Sequence, residues 1–185
     1  MLKGDEDFEI DLKDIFDISS LKKIVKNFDK EWLIDTRRQE TEYTHKDTMS
    51  YFIYKHPLDW KLGQNYMGTD VGADLTIKEL VDPIVKNLES LYNGKVGQCL
   101  LIKLPGNENI RKHFDSGDYL MSARRNHIPI ITNKNVTFTV GNKTVSMSEG
   151  ECWEINNAKN HSVNNDSPEY RVHLLIDIIP NRFIA

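Results

Sequence analysis

VTFTVGNKTVSM, from Val136 to Met147, sets two short β-like runs, Val136 to Val140 and Lys143 to Met147, on either side of Gly141-Asn142. Glycine and asparagine accept turn geometries that other residues resist, so the pair predicts a tight reversal of the chain. The same texture extends both ways. Gly97 to Leu104 and Asn126 to Thr132 precede it, and Cys152 to Ile155 and Arg171 to Ile179 follow. Pro105-Gly106-Asn107, Asn133-Lys134, Glu149-Gly150 and Asn156-Asn157 punctuate these runs. No crossover helix of about a dozen residues separates them, which excludes a doubly wound parallel sheet. They predict an antiparallel sandwich or barrel with a jelly-roll path.

Upstream of Gly94 the periodicity changes. Ile77, Leu80, Val81, Ile84, Val85, Leu88 and Leu91 form an apolar stripe that predicts a helix from Thr76 to Tyr92. Asp74 or Thr76 can cap its start, Pro83 can kink it and Asn93-Gly94 can end it. Apolar residues at three- and four-residue steps between Leu12 and Leu33 predict one or two further amphipathic helices, and Met49 to Tyr54 reads as a short strand. The expected fold class is therefore mainly β with N-terminal helices, a helical region over 1–93 and a β core over 94–181. With no repeat or credible linker, 1–185 reads as a single domain.

At 185 residues the chain can bury roughly 70% of its unfolded surface without disulfides or a structural metal. Its net charge of -4 gives no general attraction for nucleic acid or anionic lipid. The acidic stretch around Asp5 to Asp11 is unlike a signal peptide, and no apolar run approaches the ~20 residues that span a bilayer. A cytoplasmic protein with no nucleic-acid or membrane partner is expected. Cys99 and Cys152 sit in apolar contexts and read as buried free thiols, although a single bridge is compatible with their spacing.

His113 and Asp115 stand in RKHFD. In an extended chain alternate side chains share a face, so imidazole and carboxylate can converge on one ion while Phe114 points away. His161, in a polar, turn-rich segment, is the best candidate for a third ligand. Two imidazoles and a carboxylate leave coordination positions open and mark non-haem Fe(II) oxygenases, although zinc tolerates the same ligands and a solvated HxD pair is a common alternative. Two cations stand out as well. Arg171 alternates with apolar residues in RVHLLIDI, where a buried arginine needs an anion, and its fork suits a carboxylate. Arg125 and His127 in RNHIPI repeat the spacing of Arg171 and His173, suggesting a pocket for carboxylated ligands. Internal salt bridges to Asp177, Glu151 or Glu154 are the competing reading. His45 and Thr48 either reach this cavity or lie at the surface. Trp153 is core or pocket wall, and Asn156 and Asn164 can orient the loop that carries His161.

These blocks together resemble the aspartyl/asparaginyl β-hydroxylase family of 2-oxoglutarate-dependent oxygenases. The resemblance runs from about Leu101 to Asn181. It is carried by His113-Phe114-Asp115, by RNHIPI from Arg125, by GECWEINN from Gly150, by HSVN from His161, and by Arg171 ten positions after His161. It implies a double-stranded β-helix (jelly-roll, cupin-like), iron bound by His113 and His161, and Arg171 on the distal carboxylate of 2-oxoglutarate. Arg125 and His127 fall where the family contacts carboxylates of cosubstrate or substrate. The implied cofactors are Fe(II) and 2-oxoglutarate, with dioxygen and a small-molecule substrate, an amino acid, as partners. Animal members acting on growth-factor-like domains have glycine in place of the carboxylate ligand. Asp115 makes this chain look like bacterial members that hydroxylate free amino acids such as proline. Hydroxylation of Asp, Asn or Pro residues in a peptide is the runner-up, and a non-catalytic β-sandwich or cupin-like isomerase is the reading from another class.

Overall fold

The computed structural model describes residues 7–12, 16–57, 59–66 and 68–185. In chain order the elements are β1 (Phe8–Leu12), α1 (Ser19–Lys26), α2 (Arg37–Thr41), β2 (Met49–Lys55), β3 (Thr69–Asp70), α3 (Leu75–Tyr92), β4 (Gly94–Leu104), β5 (Asn109–His113), α4 (Asp118–Ser122), β6 (Arg124–Ile131), β7 (Val136–Val140), β8 (Lys143–Val145), β9 (Cys152–Ile155), β10 (His161–Asn165) and β11 (Arg171–Pro180). Single 3-10 turns lie at Lys30–Leu33, Tyr43–His45 and Asn181–Phe183.

Among the described residues the strands form two sheets. The larger has the order β1-β9-β6-β11-β4-β2-β3 and the smaller β5-β10-β7-β8, with every neighbouring pair antiparallel. From β4 to β11 the chain crosses repeatedly between the sheets, which is the double-stranded β-helix. Strands β1 to β3 widen the larger sheet.

Helices α1 and α3 lie on the outer face of that sheet. Asp74 accepts hydrogen bonds from the Thr76 and Ile77 amides and so starts α3; Asn93, in a left-handed conformation, ends it. The helix continues through Pro83 for 18 residues. Ile77, Val81, Ile84, Val85 and Leu88 pack with Leu21 and Val25 of α1 against Val172, Leu174, Ile176 and Ile178 of β11 and Ile128 and Ile130 of β6. Each such fully buried aliphatic side chain is worth roughly 1.5–3 kcal/mol. Side chains alternate along a strand, so Arg171, His173 and Asp177 face inward, into the space between the sheets. Phe8, Ile110, Phe138, Val140, Ile155 and Val163 fill part of that space with a second apolar core.

Three expectations change. The helical pattern beginning at Leu12 gives way to a strand ending there, because β1 pairs with β9 and Phe8 packs edge-to-face on Phe138 and Trp153. The helix itself spans only Ser19–Lys26; Ile15 lies outside the described residues. The strand expected to reach Met147 stops at Val145, where the Ser146 hydroxyl bonds to the Val136 carbonyl and Met147 turns into the core. The segment carrying His161 is a strand, not a loop. Both cysteines are buried free thiols. No helix among the described residues is long and apolar enough to cross a membrane.

Candidate active site

Strand register brings the two histidines together. His113, the last residue of β5, is the antiparallel partner of His161, the first of β10, and their ring centroids lie 4.2 Å apart. Each Nδ1 contacts a carbonyl of its own segment, Arg111 O at 2.7 Å for His113 and Lys159 O at 3.0 Å for His161. A carbonyl can only accept, so Nδ1 carries the proton and the Nε2 lone pair is left for a ligand role. Two residues beyond His113 the Asp115 amide donates to the Asn157 carbonyl at 2.9 Å. Asp115 then turns inward while Phe114 is 61% exposed, as the alternation required. One ligand atom from each of His113, Asp115 and His161 lies within 4.8 Å of the others.

Asp115 is held by its second oxygen. Oδ2 accepts from Arg125 Nη1 at 2.5 Å and from Asn157 Nδ2 at 2.7 Å, whereas Oδ1 faces His113 Nε2 at 3.9 Å. Burial would raise its pKa, but the opposing charge of Arg125, assisted by His161, the Asn157 hydrogen bond and His113, holds it below the ordinary value. Burial and the neighbouring His113 lower His161 to about 4, so its ring is neutral at physiological pH. Neutral imidazoles and an ionised carboxylate are what a divalent cation needs.

Arg125 is not an open cation. Its Nε and Nη2 form a two-point pair with Asp177 at 2.9 and 2.8 Å, and its third nitrogen is taken by Asp115. Asp177 also accepts from the Tyr119 hydroxyl at 3.0 Å, and that hydroxyl accepts from the Gln98 amide. Burial would lower the Arg125 pKa, yet Asp115 and Asp177 outweigh it and raise it. The carboxylate-anchor expectation for Arg125 is thus corrected to the internal salt bridge with Asp177. Glu154 pairs instead with Arg124, and Glu151 accepts from the Trp153 indole.

Arg171 is different. It is 1% exposed, and its Nε and Nη1 find no hydrogen-bond partner among the described residues. Burial, with Arg38 adding to it, lowers its pKa to about 9. His127 and His173 lie beside each other, ring centroids 5.8 Å apart, with His127 Nδ1 and both His173 nitrogens also without partners. Burial first and Arg171 second push both rings well below the usual histidine value. A guanidinium buried with idle donors is expensive unless an anion completes it. This donor set fits a carboxylate.

A cavity of about 400 Å³ opens over Asp115 and Arg125, and its wall includes Arg38, His45, Gln98 and Leu120. His45 therefore reaches the cavity, its ring 5.4 Å from that of His113, and the Thr48 hydroxyl donates to the His45 carbonyl at 2.7 Å. Trp153 packs on Phe8 and does not line this cavity. In the turn before His161 the Asn156 carbonyl accepts from the Lys159 amide at 3.0 Å, Asn164 donates to Asp166, and Asn157 holds Asp115. Arg38 and Asn157 are the residues the sequence reading missed. Asn157 had a faint signal as a second asparagine in a turn, and Arg38 had none.

A double-stranded β-helix that gathers two histidines and an aspartate at one point is the architecture of the Fe(II)- and 2-oxoglutarate-dependent oxygenases. The family model for aspartyl/asparaginyl beta-hydroxylase matches residues 75–180, and the chain belongs to that family. It is a 2-oxoglutarate-dependent hydroxylase, with Fe(II) and 2-oxoglutarate as cofactors. The viral collagen prolyl hydroxylase vCPH of Paramecium Bursaria Chlorella virus-1, solved with 2-oxoglutarate, has a similar fold. The TM-score is 0.56 at 10% identity over 95% of this chain and 97% of that one. A prolyl-4-hydroxylase of Pseudomonas putida gives 0.52 at 10% identity, covering 94% and 91%. A 2OG-Fe(II) oxygenase family oxidoreductase of Burkholderia pseudomallei gives 0.53 at 12% identity, covering 71% and 67%. At such identities the likeness is one of fold. No curated protein matches the chain.

Two outcomes are expected. In the unfolded chain the histidines protonate near 6.5, whereas His127, His161 and His173 resist protonation when folded. The unfolded state therefore binds more protons below about pH 6.5, and stability falls as pH drops from there towards 4. The metal-free protein should melt several degrees lower at about pH 5.5 than at about pH 7.5, and an unchanged melting temperature would contradict the burial of neutral rings. Asn157→Ala should weaken divalent-metal affinity by roughly 10- to 100-fold, read by calorimetry, because it frees the Asp115 oxygen it now fixes.

Proposed function

We propose that the chain, acting as one oxygenase domain, hydroxylates an unactivated carbon of a small free amino acid such as proline. The observation that carries this reading is the His113, Asp115 and His161 cluster at the edge of a 400 Å³ cavity with a charged wall. That volume is at the small-molecule end of ligand pockets. In this reading His113, Asp115 and His161 bind the iron, and Arg171 donates its idle N–H groups to the distal carboxylate of 2-oxoglutarate, with His127 and His173 beside it.

When bound, iron and 2-oxoglutarate supply the oxidising power, dioxygen being split between succinate, formed with loss of carbon dioxide, and the hydroxyl group placed on the substrate. The protein's own share is positional. Asp115 presents one oxygen because Arg125 and Asn157 hold the other. The Arg111 and Lys159 carbonyls fix the imidazole planes. His45 and Leu120 narrow the space in which a substrate carbon can sit.

A second reading, an Asp, Asn or Pro residue within a peptide, draws on the family's description and on two aromatic side chains in the neighbourhood of the cluster. Tyr43 and Phe114 are 65% and 61% exposed and could flank an extended chain.

A succinate-release screen with Fe(II), 2-oxoglutarate and oxygen over free amino acids and short peptides tests the proposal, with the product mass read for one added oxygen atom. Turnover of peptides alone would reject the free amino acid as substrate. Asp115→Ala should lose metal affinity and at least ~100-fold of succinate formation; unchanged turnover would remove the carboxylate from the ligand set. Arg171→Ala should raise the 2-oxoglutarate requirement by ~10-fold or more, the worth of a charge-assisted pair, and an unaltered requirement would assign the anchor elsewhere.

A further inference from the structure

Three arginines with largely buried side chains surround the site, and two are accounted for. Arg125 is saturated by Asp115 and Asp177. Arg171, on the reading above, takes the cosubstrate. Arg38 is the third. It lies on α2, outside the span that the family model matches. Its side chain is only 11% exposed and lines the cavity beside Asp115 and Arg125.

Its partners are poor. Nη1 reaches the neutral Ser50 hydroxyl at 3.4 Å, the limit of a hydrogen bond. The nearest carboxylate, Glu42, is 3.9 Å from Nε, is 56% exposed and is shared with His45 at 3.6 Å. Burial lowers the Arg38 pKa to about 10, and the attraction of Glu42 does not restore it. Arg37 and Lys55, on the same cavity wall, share Asp35.

The charge balance points the same way. With the cavity wall, Arg171 and Asp177 counted together, Arg37, Arg38, Lys55, Arg125 and Arg171 bring five positive charges, and Asp35, Glu42, Asp115 and Asp177 bring four negative ones. A divalent metal ion and the 2-oxoglutarate dianion cancel, so one positive charge is left over around the cavity. One further anion completes it.

We propose that Arg38 holds the carboxylate of the primary substrate, so that the enzyme selects small molecules bearing a free carboxylate. The role rests on the iron and Arg171 assignments, and it replaces Arg125 as the substrate anchor. The carboxylate sits against the α2 wall and the rest of the molecule extends towards His113, Asp115 and His161. A peptide could satisfy Arg38 only through a C-terminal or side-chain carboxylate.

The test is a binding measurement with redox-inert Zn(II) and 2-oxoglutarate on the full chain. The probes are the common free L-amino acids, their α-amides, and short peptides with free or amidated C-termini, read by thermal shift and calorimetry. For wild type, acids should bind and the matching amides should bind about ten-fold or more weakly. Arg38→Ala should abolish that preference, Arg38→Lys should restore part of it, and 2-oxoglutarate affinity should be unchanged in both. The proposal is overturned if amides bind as well as acids, if Arg38→Ala keeps the preference, or if no carboxylate in the panel binds. It is also overturned if Arg38→Ala loses 2-oxoglutarate affinity as Arg171→Ala does, since Arg38 would then belong to the cosubstrate. Failure of the underlying reading looks different: Zn(II) would not depend on Asp115, or 2-oxoglutarate would not depend on Arg171, whatever Arg38 does. Better binding of free-ended peptides than of free amino acids would overturn the small-molecule part of the proposal.

Discussion

A guanidinium buried between two carboxylates organises this molecule. Arg125 grips Asp177 with two nitrogens and Asp115 with the third, and so ties β6 and β11 of the larger sheet to the segment that follows β5 in the smaller one. None of the three charges would be tolerable there alone, since an unpaired ion in such surroundings costs several kcal/mol. Together they convert an electrostatic requirement into a geometric one. Asp115 can sit in only one place, and the oxygen it turns towards His113 is the one the pairing leaves over.

The same logic explains why β11 is apolar on one side and densely polar on the other. Val172, Leu174, Ile176 and Ile178 pin it beneath α1 and α3, while Arg171, His173 and Asp177 occupy the alternate positions. The apolar half makes the strand rigid. The polar half is thereby presented at fixed spacing, with Asp177 engaged and Arg171 idle. Engaged and idle charges on a single strand separate a structural function from a binding one.

Much of this was legible in residue order. Tight-turn pairs such as Gly141-Asn142 and the alternation in RVHLLIDI announce strands through local physics, and HxD in an extended segment announces two side chains on one face. What escaped was set by partners distant in sequence. The pairing of Arg125 with Asp177 spans 52 positions, and a sequence pattern does not say whether an arginine meets a protein carboxylate or a ligand's. Asn157 reaches Asp115 across 42 positions. The strand Phe8–Leu12 went unread because its identity comes from pairing with β9 rather than from its own composition. Arg38 carried no sequence signal, and it gained a meaning only when the fold laid α2 over the cavity.

That placement of α2 separates two kinds of work along the chain. On the proposed assignments, the parts around which the chemistry turns come from β5, β6, β10 and β11 and the segment after β5, which are tied together by strand pairing and by the Arg125 ion pairs. The roof comes from a five-residue helix and the 3-10 turn after it, whose attachments below are a few polar contacts to Ser50 and Thr48 and the meeting of Tyr43 and His45 with β5. If the proposed assignments hold, a scaffold arranged in this way can exchange its guest list without rebuilding its engine: a handful of changes between positions 35 and 48 would redraw what is admitted while leaving His113, Asp115 and His161 beneath undisturbed.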